Sequence, residues 1–238
     1  MVYPLHEKRN SRMASEETGN NPVRLKVPVR QEDLAGLKIG TVVYLDGLIY
    51  TAREGVYKKI LEDGESLPDD LISSSNANFH CSPAAAIEDD GTYNVGGVTA
   101  TASFRFSKWM AEWLDLSGAK IIIGKGGMSE KDYREMFVPA GAIYLTTVGY
   151  GTGALLGRGI KEVKAVYWVE ELGNAQAMWL FEVENFGPFL VESDLEGNSL
   201  FEQQGKLINA NLEKLYDGLK APALSRFGET DDRKDELI

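Results

Sequence analysis

A lysine on a glycine-rich turn, two arginines and a few small hydroxyl residues carry the candidate chemistry of this sequence. In IIIGKGGMSEKD, residues 121–132, three isoleucines run into Gly124-Lys125-Gly126-Gly127. Glycines let backbone approach a ligand closely. Ser129, with Asp132 three residues later, has the form of a helix N-cap with its reciprocal acid. The segment reads as a strand-to-helix turn that offers bare N–H groups and the positive end of a helix to a small anion. A lone lysine is otherwise a solvated surface charge. The spacing does not match a Walker A loop, which disfavours a nucleotide as that anion.

Two further cations stand at junctions. Arg53 follows the apolar stretch ending in Tyr50-Thr51-Ala52, and a local ion pair with Glu54 is its plainest explanation. Arg105 lies in TATASFRF, residues 99–106, where Thr101 or Ser103 could cap the helix that follows. A cation in a first helical turn opposes the helix dipole, so a compensating anion makes better sense of Arg105. His80-Cys81 supplies too few ligands for a metal and reads as a structural strand end. No Ser-His-Asp arrangement is recognisable.

The elements that must position these residues follow from periodicity. Residues 40–52 alternate as a strand or hairpin, and 55–62 look helical. Residues 65–77 are turn-rich and polar, and the strand through Asn78–Cys81 is broken at Pro83. Residues 103–116 have helical spacing around Trp109, Met110, Trp113 and Leu114. The Ile121–Ile123 strand, a helix over 129–137 and a strand over 142–149 come next. Residues 151–161 form a short helix. Strands occupy 163–171, 177–185 and 188–193, a turn 194–198, and a last helix 199–219 with Leu207, Leu212 and Leu215 among its apolar positions. The tryptophans at 109, 113, 168 and 179 are expected in the core. Such alternation argues for α/β layers around a mixed sheet. Residues 1–24 read as a mobile arm, 25–222 as the folded domain and 223–238 as an acidic solvated tail.

A net charge of -11 argues against nucleic-acid or anionic-membrane partners, which select basic surfaces. The single cysteine, Cys81, cannot form an internal disulfide or hold a cluster by itself. No apolar run has the length of a membrane span, and the N-terminus lacks the apolar core of a secretion signal. A cytoplasmic protein is expected.

Several stretches, in this order, resemble one family. They are VYLDGLIYTARE (43–54), FHCSP (79–83), TATASFR (99–105), IIIGKGGMSEK (121–131), AIYLTTVG (142–149), VYWVEELGNAQAMWLFEVENFGP (166–188) and DLEGNSLFE (194–202). The chain resembles the beta subunit of class I fumarases and L(+)-tartrate dehydratases, the iron–sulfur hydro-lyases, which is also the C-terminal domain of single-chain fumarases. The resemblance implies a swivelling domain with three β/β/α layers. It implies reversible hydration of fumarate to malate, with L-tartrate dehydration or a related dicarboxylate as the alternative. By resemblance, Arg53, Arg105 and Lys125 hold the substrate carboxylates and Thr101 exchanges the proton at carbon 3. The 4Fe–4S cluster is implied to sit on a separate alpha subunit, so that this chain holds no metal and is active only in a hetero-oligomer. A non-catalytic organic-anion-binding module is the reading from another class.

The chain departs from the family pattern at Glu54, Tyr57, Ser82, Phe104 and Phe106. All lie beside the presumed site residues, and a reshaped pocket is expected from them.

Overall fold

The computed structural model describes residues 21–216. Most of the expected arm and the whole acidic tail lie outside the described residues. The expected boundary at residue 25 falls inside β1 (Val23–Val27), which takes in Val23 and Arg24.

The elements follow in the order β1, α1 (Gln31–Leu34), β2 (Val42–Thr51), α2 (Glu54–Tyr57), α3 (Asp69–Ser74), β3 (Ala77–Phe79), β4 (Cys81–Ile87) and β5 (Tyr93–Ala100). Then come α4 (Ser107–Ser117), β6 (Ile121–Gly124), α5 (Glu130–Asp132), α6 (Val138–Ala140), β7 (Ile143–Thr147), α7 (Gly153–Gly159), β8 (Ile160–Tyr167), α8 (Val169–Leu172), β9 (Met178–Ser193) and α9 (Leu200–Tyr216). The main sheet has the order β1-β2-β3-β6-β7-β9-β8, with β2 also pairing β9. That extra pairing closes β2, β3, β6, β7 and β9 into a ring. β2, β3, β6 and β7 run parallel, and β9 is antiparallel to β2, β7 and β8. The β4–β5 hairpin is a second, two-stranded sheet.

Period-two burial sorts the core into two clusters. Ile121, Ile123, Ile143, Leu145, Phe79 and Trp179 face one of them, which the hairpin residues Cys81 and Val98 also join. Ile122, Tyr144, Tyr50 and Leu180 face the other, among Tyr57, Trp109, Met110, Trp113, Tyr133 and Phe137 from the helical segments. Hairpin sheet, main sheet and helices therefore stack as layers, in agreement with the expected mixed α/β fold. A strand buried on both faces carries a continuous apolar run, which is why Ile121–Ile123 was readable.

Other stretches differ from expectation for local reasons. The polar segment 65–77 contains α3, whose first turn carries Asp69 and Asp70 just after Pro68, as a helix start favours. Pro83 does not end its strand. It lies inside β4 opposite Val98, in a sheet of only two strands, where a missing N–H can face outward. Residues 177–185 and 188–193 form one strand, β9, which passes Pro188 where its register with β2 shifts between Leu45–Phe186 and Val43–Phe189. Trp168, with φ 59°, turns β8 into α8 and cuts short the strand expected to reach residue 171. On α9 the apolar positions Leu207, Leu212 and Leu215 are exposed.

Candidate active site

Parallel strands emit their C-terminal ends along one sheet edge, where α/β proteins commonly bind ligands. Arg53 follows β2, His80 follows β3 and Lys125 follows β6. The β4–β5 hairpin leaves from His80 and returns with Cys81 opposite Ala100, so Thr101 is delivered to the same edge. The backbone fastens it there. Thr101 N donates to His80 O (2.6 Å), Lys125 N donates to Thr101 O (3.1 Å), and Ala102 bridges to Lys125.

Arg53 and Arg105 are near enough for their charges to interact. The Arg53 guanidinium is held below its ordinary pKa, first by burial, although the nearby Cys81 acts in the opposite sense; the Arg105 charge lowers it further. Its Nη1 donates to Ala175 O at 2.6 Å, while its buried Nε has no partner. An unmet donor on a crowded cation is what a carboxylate would satisfy. Glu54 does not pair with Arg53 as expected. It binds Lys58 at 2.7 Å and reaches Arg105 at 4.0 Å. Lys125 lines a small cleft of ≈ 80 Å³ with Thr99, Thr147 and Thr152. Arg53, Thr101 and Arg105 are outside that cleft's lining.

The turn itself differs from expectation in one respect. The Ser129–Asp132 capping box is present, with Asp132 N to Ser129 Oγ at 3.1 Å and Ser129 N to Asp132 Oδ2 at 3.2 Å. Those amides are therefore occupied. Met128 N is also taken, by Tyr133 Oη at 2.7 Å. Of the N–H groups expected to be open to an anion, those of Lys125, Met128, Ser129 and Asp132 are thus occupied by the protein. Beneath the turn, Glu192 is fully buried and accepts from Ser199 Oγ at 2.7 Å; burial raises its carboxyl pKa.

Neither Thr101 nor Ser103 caps a helix: Ala102 precedes the 3-10 turn Ser103–Phe106, and Phe106 precedes α4. Ser103 is instead buried and belongs to a polar chain that no spacing rule revealed. Asn78 Nδ2 donates to Tyr57 Oη at 2.7 Å, and Tyr57 Oη lies 2.6 Å from His80 Nε2. His80 Nδ1 lies 2.6 Å from Ser103 Oγ, which accepts from Tyr144 Oη at 2.6 Å. Its five members come from four segments, Asn78 and His80 sharing the end of β3.

This chain recasts two of the departures. Tyr57 and Phe106 are buried against His80 and each other, with Trp109 beside them, so they support the site and do not line it. Ser82 is half-buried, opposite Thr99 in the hairpin, while Glu54 and the exposed Phe104 flank Arg105. Any reshaping of the pocket by these five therefore comes from Glu54, Ser82 and Phe104.

His80 makes a pH prediction. Burial, helped by the Arg53 charge, pushes the ring down to about 3. The folded state keeps it neutral while the unfolded chain takes up a proton below about 6.5. Stability should therefore fall as pH drops from 6.5 towards 3, with a loss of roughly 3 kcal/mol by pH 4. Glu192 contributes in the opposite sense, because its raised carboxyl favours the protonated form on folding. Urea melts of wild type and His80→Gln at pH 4.5 and 7 isolate the histidine. The difference between the two pH values should shrink in the variant, and an unchanged difference would contradict a neutral buried ring.

Comparison with known proteins places this geometry in a family. The Fumarase C-terminus family model matches residues 3–204. A Methanocaldococcus jannaschii protein named "Putative L(+)-tartrate dehydratase subunit beta" is 38% identical over 188 residues, covering 78% of this chain and 94% of that protein. The L(+)-tartrate dehydratase subunit beta of Escherichia coli K12 is 30% identical over 185 residues, covering 77% and 88%. A Geobacillus stearothermophilus protein named "Putative fumarate hydratase class I" is 30% identical over 213 residues, covering 90% of this chain but 39% of that larger protein. With a family model that spans every strand described above and relatives matched over most of their length, the chain belongs to the Fumarase C-terminus family.

Proposed function

We propose that this chain is the beta subunit of a cytoplasmic hydro-lyase that adds water reversibly to fumarate, giving malate. The observation that supports the reading is that Thr101 is bonded through its backbone to Lys125 at the end of β6, while Arg53 after β2 feels the charge of Arg105, in a chain of net charge -11. Guanidinium groups clamp carboxylates in a fixed fork. In this reading Arg53 and Arg105 grip one end of the diacid, and Lys125, beside the threonine-lined cleft, holds the other.

During hydration Thr101 delivers its proton to carbon 3, the hydroxyl of water adds to carbon 2, and the proton released from that water restores the threonine hydroxyl. In dehydration the threonine oxygen takes the carbon 3 proton and the carbon 2 hydroxyl departs. Charge builds on the neighbouring carboxylate as that proton leaves and is discharged as the hydroxyl departs, and the arginines stabilise it in between. The threonine's role rests on the family resemblance; the role of the cations rests on it too, with support from the charge interaction of Arg53 with Arg105.

A 4Fe–4S cluster does not fit the donors of this chain. Cys81 is its only cysteine and is buried, burial raises its thiol pKa, and no group of three or more His, Cys, Asp or Glu suited to a metal occurs among the described residues. The reading therefore places the cluster on an alpha subunit, where an open iron would supply the Lewis acid. No helix among the described residues is long and apolar enough to cross a membrane.

The relatives named as tartrate dehydratase beta subunits favour a second substrate, L-tartrate, for the same site. Anaerobic co-expression with an alpha partner tests both. Fumarate hydration by the assembly, and none by this chain alone, supports the first reading. Dehydration of L-tartrate without fumarate turnover selects the second. Diacid binding with no turnover of either would leave an anion-binding module and overturn the enzyme assignment.

A further inference from the structure

Ser103 Oγ lies where three parts of the site cross. It accepts from Tyr144 on β7 and meets the His80 ring after β3, while its backbone N donates to Lys125 O at 3.3 Å. A Cβ placed on Gly124 would come within 2.0 Å of it. In sequence it stands midway between Thr101 and Arg105. Its hydroxyl makes no helix cap, although its position in the chain suggested one.

The proton count along the buried chain fixes how Ser103 is used. Asn78 donates into Tyr57 Oη, so the only acceptor left for the Tyr57 proton is His80 Nε2. A neutral ring that accepts at Nε2 must carry its proton on Nδ1. That proton points to Ser103 Oγ, which thereby accepts two bonds, one from His80 and one from Tyr144. The titratable groups around the ring are Tyr57, Tyr144, Arg53 and the adjacent Cys81. The phenols of Tyr57 and Tyr144 and the Cys81 thiol are raised by burial, and Arg53 disfavours a second positive charge, so none of them draws the ring into its charged form.

We propose that Ser103 is a positioning residue for the hydration reaction. Its oxygen, with two hydrogen bonds, pins the Thr101–Arg105 loop to His80 after β3 and to Tyr144 on β7, the strands on either side of the one that carries Lys125, so the proton-transferring threonine and the carboxylate clamp keep one relative placement. His80 and Tyr144 anchor this pin and exchange no proton with substrate. The inference rests on the hydro-lyase reading, because it assigns Thr101 and Arg105 the roles given there.

In the assembled enzyme, Ser103→Ala should lower kcat on the order of 10²-fold, as a displaced reacting group does, with KM little changed. Tyr144→Phe removes one of the two bonds and should fall between that variant and wild type. The discriminating readout is the isotope effect with malate deuterated at carbon 3. A misplaced base makes proton transfer more rate-limiting, so the effect should rise in Ser103→Ala. Activity that drops only in proportion to folded protein, with an unchanged isotope effect, would mean a merely structural serine and overturn the proposal.

A second measurement stands even if that variant fails to fold. The chain has two histidines, His6 and His80, so the imidazole nitrogen spectrum of the labelled full chain is simple. His80 should remain neutral with its proton on Nδ1 between pH 5 and 8. A ring protonated at pH 5.5, or one carrying its proton on Nε2, would break the bonding pattern and refute the pin. If the wild-type assembly turns over no diacid, the functional reading falls first. If it turns over normally and Ser103→Ala does too, only the positioning role falls.

Discussion

Arg105→Ala should reduce kcat/KM for the diacid by about 10²–10³-fold, the cost of removing one partner of a desolvated charge pair. Its melting temperature should stay near that of wild type. The side chain is 53% exposed, and its only ion pair among the described residues, to Glu54, is at 4.0 Å. Pairs of that kind contribute about 0–1 kcal/mol. Lysine at this position keeps the charge but not the planar fork, so Arg105→Lys should recover part of the loss and not all of it. Lys125→Ala should show a comparable fall in turnover, because its ammonium is the cation assigned to the far carboxylate. Steady-state kinetics on the reconstituted assembly, alongside thermal melts, measure both quantities. Wild-type kinetics in either alanine variant would remove that residue from the site.

The largest effect on folding is expected from Gly124→Ala. The added Cβ would stand 2.0 Å from Ser103 Oγ, 2.5 Å from Tyr144 Oη and 3.3 Å from Thr101 O. Neither hydroxyl can move without breaking a buried hydrogen bond. Overpacking costs about 1–3 kcal/mol, and each stranded buried group about 1–3 kcal/mol more. For a domain of this size that corresponds to a fall in Tm on the order of 10 °C. Gly126 provides the control. An alanine Cβ there meets nothing within 4 Å, but φ is +79°, so only backbone strain of about 1–2 kcal/mol is added. Calorimetry of the two variants should rank them clearly, Gly124→Ala being the less stable. The reverse order would mean that the crowding around Ser103 is not as described. Gly124→Ala should also lower turnover, since the crossing it disrupts carries Thr101.

What was legible at the sequence level shares one property: it is decided within a few residues. Ile121–Ile123 betrays a strand buried on both faces because the apolar run is continuous. The Ser129–Asp132 box is a three-residue bond pair and forms wherever the helix starts. Arg53, Thr101, Arg105 and Lys125 each stand at a junction between periodic segments, and the family resemblance attached roles to them. Local patterns also misled. Pro83 looked like a strand end because proline lacks a donor, but an edge position does not need one. The β9 strand looked like two strands because Gly187-Pro188 resembles a break, yet β2 runs along both of its halves.

The sequence by itself determined the layered α/β class, the cations and the acidic background that makes them conspicuous, because charge and periodicity are properties of neighbours along the chain. Tertiary structure alone decided that Tyr133 would fill the turn's amide, that Glu54 would turn to Lys58 and Arg105, and that Asn78, Tyr57, His80, Ser103 and Tyr144 would join into one buried chain. Those contacts link residues up to 41 positions apart within the buried chain and 51 apart at the Glu54–Arg105 pair. Their physical cause is the cost of leaving a buried polar group unmet, which acts only once the sheet has brought the segments together.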